Sequence, residues 1–246
     1  MEFRVIGSGS SGNCYLLTNG KESLVIEAGL PFQKVKEHIE DIRTIKGCIT
    51  THEHKDHSKY VKEYVDAGIV TGMTKAVAEQ FEYGFFIRKW QDRMRTMFGN
   101  FQVDAFVVEH YVECYGFLIK HHEMGTMLFL TDTEYCRYVF PGVNHIMVEA
   151  NYSQKILDDN VAKGDIPESL RNRIMKSHMS FDTAKSLVRA NKSMSLYNVC
   201  LLHLSGHNSD RTAFLEEIQE VNEENMCYAA YVATPGTVIT VNKAPF

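Results

Sequence analysis

The order of elements in this sequence of 246 residues predicts an α/β protein in which helices cover the outer faces of two facing β-sheets. Strand-like runs, helix-like runs, strand-like runs and helix-like runs follow one another in two similar halves. No internal repeat interrupts this order. The length suits one α/β domain or two small ones, and either can bury a core without disulfides.

The first half opens with strands and continues with helices. Strands are expected at residues 3–6, 14–18 and 23–27, and helices at residues 31–42, 58–65 and 75–81. Pro31 suits the first turn of its helix, Ser58 can cap the next helix, and Gly68 can end it. A short apolar strand before residue 52 separates the first two helices.

The second half repeats the pattern with longer elements. Strands are expected at residues 101–108, 113–119, 126–130, 144–148, 196–202, 226–232 and 237–241, and helices at residues 153–159, 167–176, 181–190 and 209–221. Asp210, near the start of the last helix, offsets the helix dipole.

Composition narrows the class of protein. The formal net charge of -5 argues against a protein that coats nucleic acid, although a nuclease remains compatible because bound metals add positive charge. No apolar stretch of membrane-spanning length and no signal-peptide pattern occur, so we expect no membrane partner. The six cysteines form no CxxC pair and lie mostly in apolar runs, which indicates reduced thiols in a cytoplasmic protein.

The most informative segment is His52-Glu53-His54-Lys55-Asp56-His57. Three imidazoles and a carboxylate directly follow an apolar run, and neutral His and ionised Asp are preferred ligands of zinc and similar divalent ions. A purely structural role is disfavoured, because burying four such groups without partners would be costly.

Three more metal-ligand candidates lie where predicted strands end: His110, Asp132 and His203. A sheet fixes such side chains while the adjoining loops leave them open to substrate. Considered alone, Asp132 also suits a turn after a strand, and His110 and His203 could be ordinary strand-end histidines.

Two further segments allow two interpretations each. The Gly/Ser-rich segment 7–12 lacks the Lys of a phosphate-binding loop, so we interpret it as a tight inter-strand turn with Ser11 or Asn13 near the site. Residues 88–95 are the most basic stretch and contain Trp90, the only Trp. They form either a solvated face or a contact with a nucleic-acid strand, and the same choice applies to Arg171, Arg173 and Lys176.

These motifs resemble the metallo-β-lactamase-fold hydrolases, whose His-x-His-x-Asp-His signature is intact at residues 52–57. The resemblance covers nearly the whole chain, and it implies one domain over residues 1–246 with an αββα sandwich fold. Residues 6–17, 130–133, 148–152 and 203–205 resemble the YycJ/WalJ branch, whose members are 5′→3′ DNA exonucleases. Residues 177–180, followed by a helix and then residues 203–205, are similar to the tail of ribonuclease Z.

The resemblance implies a site with two divalent ions, zinc or manganese. Its ligands would be His52, His54 and His110 at the first ion, Asp56, His57 and His203 at the second, and Asp132 between them, with a water or hydroxide bridging the ions. The predicted catalytic residues are Asp56, Glu149 and His178. By similarity to ribonuclease Z, Glu149 would orient His178 beside the cleaved phosphate, where a His near its ordinary pKa can protonate the leaving oxygen.

Both of these roles have alternatives, and two positions depart from the family. His178 also suits a polar position near a helix start, and Glu149 also suits a brace for a ligand His. The superfamily usually has Asp where this chain has Glu27, so the longer side chain must reach the ligand loop differently. The YycJ/WalJ branch usually has Asp where Tyr111 follows His110.

The leading hypothesis is a metal-dependent phosphodiesterase, a 5′→3′ DNA exonuclease whose nucleophile is the bridging hydroxide, with DNA preferred to RNA. The alternatives are a small-molecule phosphodiesterase that opens a cyclic nucleotide, or another small-ester hydrolase. A third possibility is a metal-binding module without catalysis, for which Glu27 and Tyr111 are the sequence support.

Overall fold

The computed structural model describes residues 1–82, 84–221 and 228–244. In chain order its strands are β1 (Glu2–Gly7), β2 (Cys14–Thr18), β3 (Ser23–Ile26), β4 (Ile45–Ile49), β5 (Thr71–Met73), β6 (Ile87–Lys89), β7 (Arg95–Phe98), β8 (Phe101–Val107), β9 (Tyr115–His121), β10 (Gly125–Leu130), β11 (His145–Glu149), β12 (Asn198–Leu202), β13 (Ala229–Val232) and β14 (Val238–Thr240). Its helices are α1 (Phe32–Lys36), α2 (Lys55–Ser58), α3 (Val61–Asp66), α4 (Lys75–Ala78), α5 (Gln154–Lys163), α6 (Glu168–Ser177), α7 (Phe181–Asn191) and α8 (Arg211–Glu220), with a 3-10 turn at Ile42–Thr44.

The strands form two seven-stranded mixed sheets built on the same plan. Sheet A has the order β14-β1-β2-β3-β4-β5-β6, and sheet B has the order β13-β12-β11-β10-β9-β8-β7. Each sheet has three adjacent antiparallel pairings and three adjacent parallel ones, and the parallel pairings join β3 to β6 in sheet A and β10 to β13 in sheet B. The predicted fold, a sandwich of two mixed sheets with outer helices, is confirmed.

Three apolar layers hold the sandwich together. The central layer lies between the sheets and is rich in aromatic side chains, including Phe3, Tyr15, Phe117 and Phe129. A second layer joins sheet B to α7 and α8, and a third joins sheet A to α1 and α3. Because inward and outward side chains alternate along each strand, one sheet can contribute to two layers.

Three predicted helices differ from the observed ones. Helix α1 ends at Lys36, and the side chain of Asp41 caps the 3-10 turn that follows by accepting a hydrogen bond from the Arg43 amide. The helix predicted at residues 58–65 is observed as α3, which begins at Val61, and a separate short helix, α2, precedes it. Ser58 ends α2 and donates to the Glu53 and His54 carbonyls, so it does not cap α3. The helix predicted at residues 75–81 ends at Ala78. Helix α2, which was not predicted, places the Asp56 and His57 backbone in a helical turn.

Within the basic stretch, Lys89, Arg93 and Arg95 are exposed, whereas Trp90 offers no stacking surface to nucleic acid. The stretch spans the end of β6 and the start of β7, and the Trp90 side chain is buried against Phe98 and Phe117. The indole Nε1 donates to the Thr50 carbonyl at 2.9 Å. The ring therefore anchors the segment that leads into the ligand loop, and it is not available for stacking on a base.

The remaining sequence expectations concern thiols, the last strands and membranes. Cys14, Cys48, Cys114, Cys136 and Cys200 are buried free thiols, as expected for core residues. Cys227 and the start of the strand predicted at residues 226–232 lie outside the described residues. None of the helices within the described ranges is long and apolar enough to cross a membrane.

Candidate active site

The candidate site lies where parallel strands of both sheets end at one edge of the sandwich. Glu27 follows β3 and the 50–57 segment follows β4 in sheet A, while Asp132 follows β10, Glu149 ends β11 and His203 follows β12 in sheet B. The carboxyl ends of parallel strands are common places for functional side chains, because the strands fix their positions. Residues far apart in sequence thus meet at one edge.

The first donor group comprises His52, His54, His110 and Asp132, whose ligand atoms lie within 4.8 Å of one another. His52 Nε2 and His54 Nδ1 are 2.7 Å apart, and His52 Nε2 is 3.8 Å from Asp132 Oδ2. The His110 ring lies 5.0 Å from the His52 ring and 5.1 Å from the His54 ring, between centroids. The structure therefore brings His110 to the hexapeptide, as predicted, although Tyr111 follows it.

The second donor group comprises Asp56, His57, Asp132 and His203, again with ligand atoms within 4.8 Å of one another. His57 Nε2 is 3.2 Å from Asp132 Oδ1 and 3.4 Å from Asp56 Oδ2. His203 Nε2 is 3.5 Å from the same Asp56 oxygen. Asp132 belongs to both groups and offers one carboxylate oxygen toward each, which is the arrangement expected of a residue shared between two ions.

Buried nitrogens without partners test whether a cation fits these groups. Both ring nitrogens of His110 and Nε2 of His203 are buried and have no hydrogen-bond partner among the described residues. Burying such an atom unpaired costs free energy, and a metal ion would satisfy it. Imidazole and carboxylate donors suit zinc, manganese and iron alike. The donor chemistry and the orphaned atoms together indicate divalent metal binding.

Burial and neighbouring charges shift the pKa values of His57 and Asp132 in opposite directions, and the charges have the larger effect. Burial lowers the pKa of His57, but Asp132 and Glu27 raise it by more, to well above its usual range. Burial raises the pKa of Asp132, yet His203 and His57 hold it well below its usual range. Burial lowers the pKa of His110 to about 4. The carboxylates of the site thus favour positive charge among its histidines, and divalent cations would supply such charge.

Three residues of the site have a left-handed backbone that non-glycine residues rarely adopt: Glu27 (φ 67°), Asp132 (φ 48°) and His203 (φ 52°). Arg93 is the one other such non-glycine residue in the described part of the chain. Such conformations cost free energy and tend to cluster at functional sites. Here each lies within two residues of a strand end, and its side chain is buried in the site.

Glu27 braces the ligand loop from beneath. Its buried carboxylate accepts hydrogen bonds from the Thr51 hydroxyl at 2.6 Å and the Thr51 amide at 3.3 Å, and it lies 3.4 Å from His57 Nδ1. The Thr51 hydroxyl is in turn 2.9 Å from His52 Nδ1. One carboxylate therefore supports a His of each donor group, and the longer side chain reaches the loop that the usual Asp would brace.

Glu149 contacts two histidines of the site at once. Its Oε1 lies 2.6 Å from His178 Nδ1 and 3.2 Å from His203 Nδ1, while Oε2 accepts hydrogen bonds from the Met179 and Thr133 amides. The His178 and His203 rings stack with centroids 5.3 Å apart. From the sequence, Glu149 could orient His178 or brace a ligand His. The carboxylate is in position to do both, because it contacts His178 and His203 at once.

The Gly/Ser-rich turn between β1 and β2 also reaches the site, as the position of Asn13 predicted. Asn13 Nδ2 lies 3.0 Å from His57 Nε2. Ser11 is exposed, whereas the Ser8 hydroxyl accepts a hydrogen bond from the His203 amide at 2.9 Å. Sequence reasoning did not identify Ser8 or Asn151, whose Nδ2 donates to the His203 carbonyl. Both lie in segments that resemble the YycJ/WalJ branch, but the resemblance assigns no role to either residue, and each acts on a His that is distant in sequence.

The chain is similar to a known protein family and to curated relatives within it. A family profile described as "Metallo-beta-lactamase superfamily" matches residues 7–135, more than half of the chain. Curated relatives include an "Exodeoxyribonuclease WalJ" of Streptococcus pneumoniae serotype 2, 26% identical over 85% of this chain and 83% of that protein. An "Exodeoxyribonuclease YycJ" of Bacillus anthracis is 25% identical over 91% of this chain and 90% of that protein. These relatives support the resemblance to the YycJ/WalJ branch.

A solved structure shares the fold across nearly the whole chain. The metallo-beta-lactamase fold protein YhfI from Bacillus subtilis matches with a TM-score of 0.74 and 19% identity, over 97% of this chain and 99% of that one. This likeness shows the fold, while the profile match and the exodeoxyribonuclease relatives support a metal-dependent hydrolase.

Proposed function

The chain belongs to the metallo-beta-lactamase superfamily, and from that premise we propose that it is a two-metal phosphodiesterase acting on nucleic acid, a 5′→3′ DNA exonuclease. The observation that carries the proposal is the Glu149–His178 pair beside the two donor groups. Asp132, Glu149, His178 and His203 offer ligand or proton-carrying atoms within 4.8 Å of one another. A proton donor thus stands next to the groups that would hold the ions.

The proposed ligands form two sets, one for each ion, which share Asp132. His52, His54 and His110 would hold one ion, Asp56, His57 and His203 the other, and Asp132 would join them. Zinc or manganese held there would screen the phosphodiester charge and lower the pKa of a bound water. Two carboxylates hold ligand rings through the ring nitrogen that faces away from the ion. Glu149 contacts His203 Nδ1 directly, and Glu27 holds His52 Nδ1 through the Thr51 hydroxyl.

His178 is the proposed proton donor to the leaving oxygen. Its Nδ1 is engaged by Glu149, which leaves Nε2 as the nitrogen for substrate, and its side chain is partly exposed. Burial lowers the pKa of His178, but the Glu149 carboxylate raises it by more, to above its ordinary value, which favours the protonated ring. A protonated imidazole can then stabilise the departing alkoxide.

Nucleic acid as substrate is supported by the relatives and by local charge. Both named relatives are exodeoxyribonucleases. Although the net charge is -5, helix α6 leads into His178 and carries exposed Arg173 and Lys176, while Arg171 pairs with Asp158 at 2.6 Å. Positive charge beside the site would attract phosphates where the protein as a whole does not.

A substrate panel tests the proposal. The protein, loaded with Mn²⁺ or Zn²⁺, would be incubated with a 5′-phosphorylated DNA strand labelled at its 3′ end, with the matching RNA, and with cyclic nucleotides. We expect progressive shortening of the DNA from the 5′ end, which Asp56→Ala with Asp132→Ala abolishes. Intact DNA alongside opened cyclic nucleotides would instead identify a small-molecule phosphodiesterase. Intact DNA with full metal loading would contradict the nuclease assignment.

A further inference from the structure

Tyr111 occupies an unusual place for an exposed aromatic residue. Its hydroxyl oxygen lies 2.6 Å from His54 Nε2, although the residue is 63% exposed. Its ring packs beside both the His54 ring (4.9 Å) and the His110 ring (4.5 Å), between centroids. The side chain thus contacts two members of the first donor group from the solvent side.

The direction of the hydrogen bond follows from the role of His54. Its Nδ1 faces His52 Nε2 at 2.7 Å, so Nδ1 is the nitrogen directed into the first donor group. A nitrogen that binds a metal carries no proton, and the neutral imidazole then keeps its proton on the other nitrogen. His54 Nε2–H therefore donates to the Tyr111 oxygen, and the Tyr111 hydroxyl hydrogen is not used in that bond.

That hydrogen has no acceptor in the described part of the chain, where His54 is the one hydrogen-bond partner of the Tyr111 hydroxyl. Because the residue is largely exposed and its hydroxyl contacts a member of the first donor group, this hydrogen is available to a phosphate bound beside that group. Arg173 is exposed on α6, the helix that leads into His178, and its positive charge opposes the burial that raises the pKa of Tyr111. An O–H donor and a cation beside the donor groups together suit an anionic phosphate.

We propose that the Tyr111 hydroxyl links a metal ligand to the substrate, accepting a hydrogen bond from His54 Nε2 and donating one to a non-bridging phosphate oxygen. The inference rests on the proposed function in that the substrate carries a phosphate. Tyr111 is then a positioning residue for His54 and a binding residue for phosphate.

Titrations of Tyr111→Phe test this link without relying on DNA cleavage. The variant removes one exposed oxygen and keeps the ring. We expect its affinity for Mn²⁺ to fall about ten-fold, the effect typical of losing the outer partner of a ligand His. At saturating Mn²⁺, its affinity for inorganic phosphate should also fall about ten-fold, because a hydrogen bond to a charged group is lost. Tyr135→Phe, at another exposed tyrosine, should change neither value.

Each other outcome overturns the link. Unchanged affinities for Mn²⁺ and phosphate would show that the hydroxyl serves neither partner. Loss of Mn²⁺ affinity alone would leave a brace for His54 without a substrate contact, and loss of phosphate affinity alone would remove the connection to His54. If the wild-type protein does not degrade DNA, the nuclease assignment fails, while these titrations still decide the role of Tyr111.

Discussion

At the scale of single residues, the site depends on side chains that touch no substrate. Glu27 supports Thr51 and His57 with one buried carboxylate, and Glu149 supports His178 and His203 in the same way. Partners of this kind fix the tautomer and orientation of ligand rings. The sequence marked Glu27 and Tyr111 as departures from the family, and the geometry gives both a role at the ligands.

Glu27→Gln tests the brace beneath the ligand loop. The amide keeps the size of the side chain but replaces an acceptor with a donor, which conflicts with the Thr51 amide and hydroxyl. We expect the affinity for metal to fall about 10- to 100-fold, as measured by titration against a competing chelator. Glu53→Gln, at an exposed position of the same loop, is the matched control. Equal affinities in both variants would remove the brace.

His178→Asn tests the proposed proton donor. On DNA, kcat should fall by about 100- to 10,000-fold, the range typical of losing a general acid. Bis(p-nitrophenyl) phosphate, whose leaving group needs no proton, should lose much less activity. His122→Asn, at an exposed His in the turn between β9 and β10, should behave like wild type. Equal losses on both substrates would mean that His178 has a structural role.

At the scale of elements, the order of strands and helices was predictable but several helix ends were not. The spacing of apolar residues and the turn residues identify a helix or a strand, whereas the residue at which it ends depends on contacts with distant residues. The Arg4 guanidinium donates to the His38 carbonyl just beyond α1, and no local pattern contains that contact. The burial of Trp90 likewise depends on Gly72, where a Cβ atom would lie 2.0 Å from the indole.

The residues of the site were also predictable only where local sequence or the family resemblance marks them. The hexapeptide was recognisable because its ligands are adjacent in sequence, and His110, Asp132 and His203 were placed by strand ends and family resemblance. Ser8 and Asn151 were missed because they contact His203 across 195 and 52 positions of sequence. The Ser8 contact forms only when the two sheets come together, and the Asn151 contact forms when β11 pairs with β12.

The contacts of Glu22 between the two sheets should make the free energy of unfolding depend on pH. Glu22, beside β3 in sheet A, accepts hydrogen bonds from the amide and the side chain of Asn100 and lies 3.0 Å from His121 Nε2 of sheet B. Burial raises the pKa of Glu22, but these bonds lower it by more, to below its usual value. The stabilisation is thus present above the unfolded pKa of about 4.3 and is lost as pH falls through the lower folded value.

We therefore expect Glu22→Gln to reduce the free energy of unfolding at pH 7 by on the order of 1–2 kcal/mol. The difference from wild type should shrink as the pH falls below about 4. Urea unfolding at several pH values measures this, with Glu40→Gln, at an exposed position, as the control. A difference that is constant with pH would show that ionised Glu22 does not hold the sheets together.

At the scale of the whole molecule, metal binding should be coupled to folding, because the donor groups join strand ends of both sheets. An ion that binds only the folded protein adds about 2.7 kcal/mol at a concentration 100 times its Kd. In a chain of this size, that raises Tm by roughly 5–10 °C per ion.

The buried Trp90 makes this shift observable, since its fluorescence should change on unfolding. Adding Zn²⁺ or Mn²⁺ to the chelated protein should raise Tm, and Asp132→Asn should reduce the shift because it weakens both donor groups. An unchanged Tm in saturating metal would mean that the donor groups do not bind ions in the folded state.

The most direct test of the central claim, a site of two ions that share Asp132, is the metal content of the reconstituted protein. After loading with Zn²⁺ or Mn²⁺ and removal of unbound ions by gel filtration, elemental analysis should find about two ions per wild-type chain and fewer in Asp132→Asn. One ion or none per wild-type chain would contradict the two-metal site and the mechanism that depends on it.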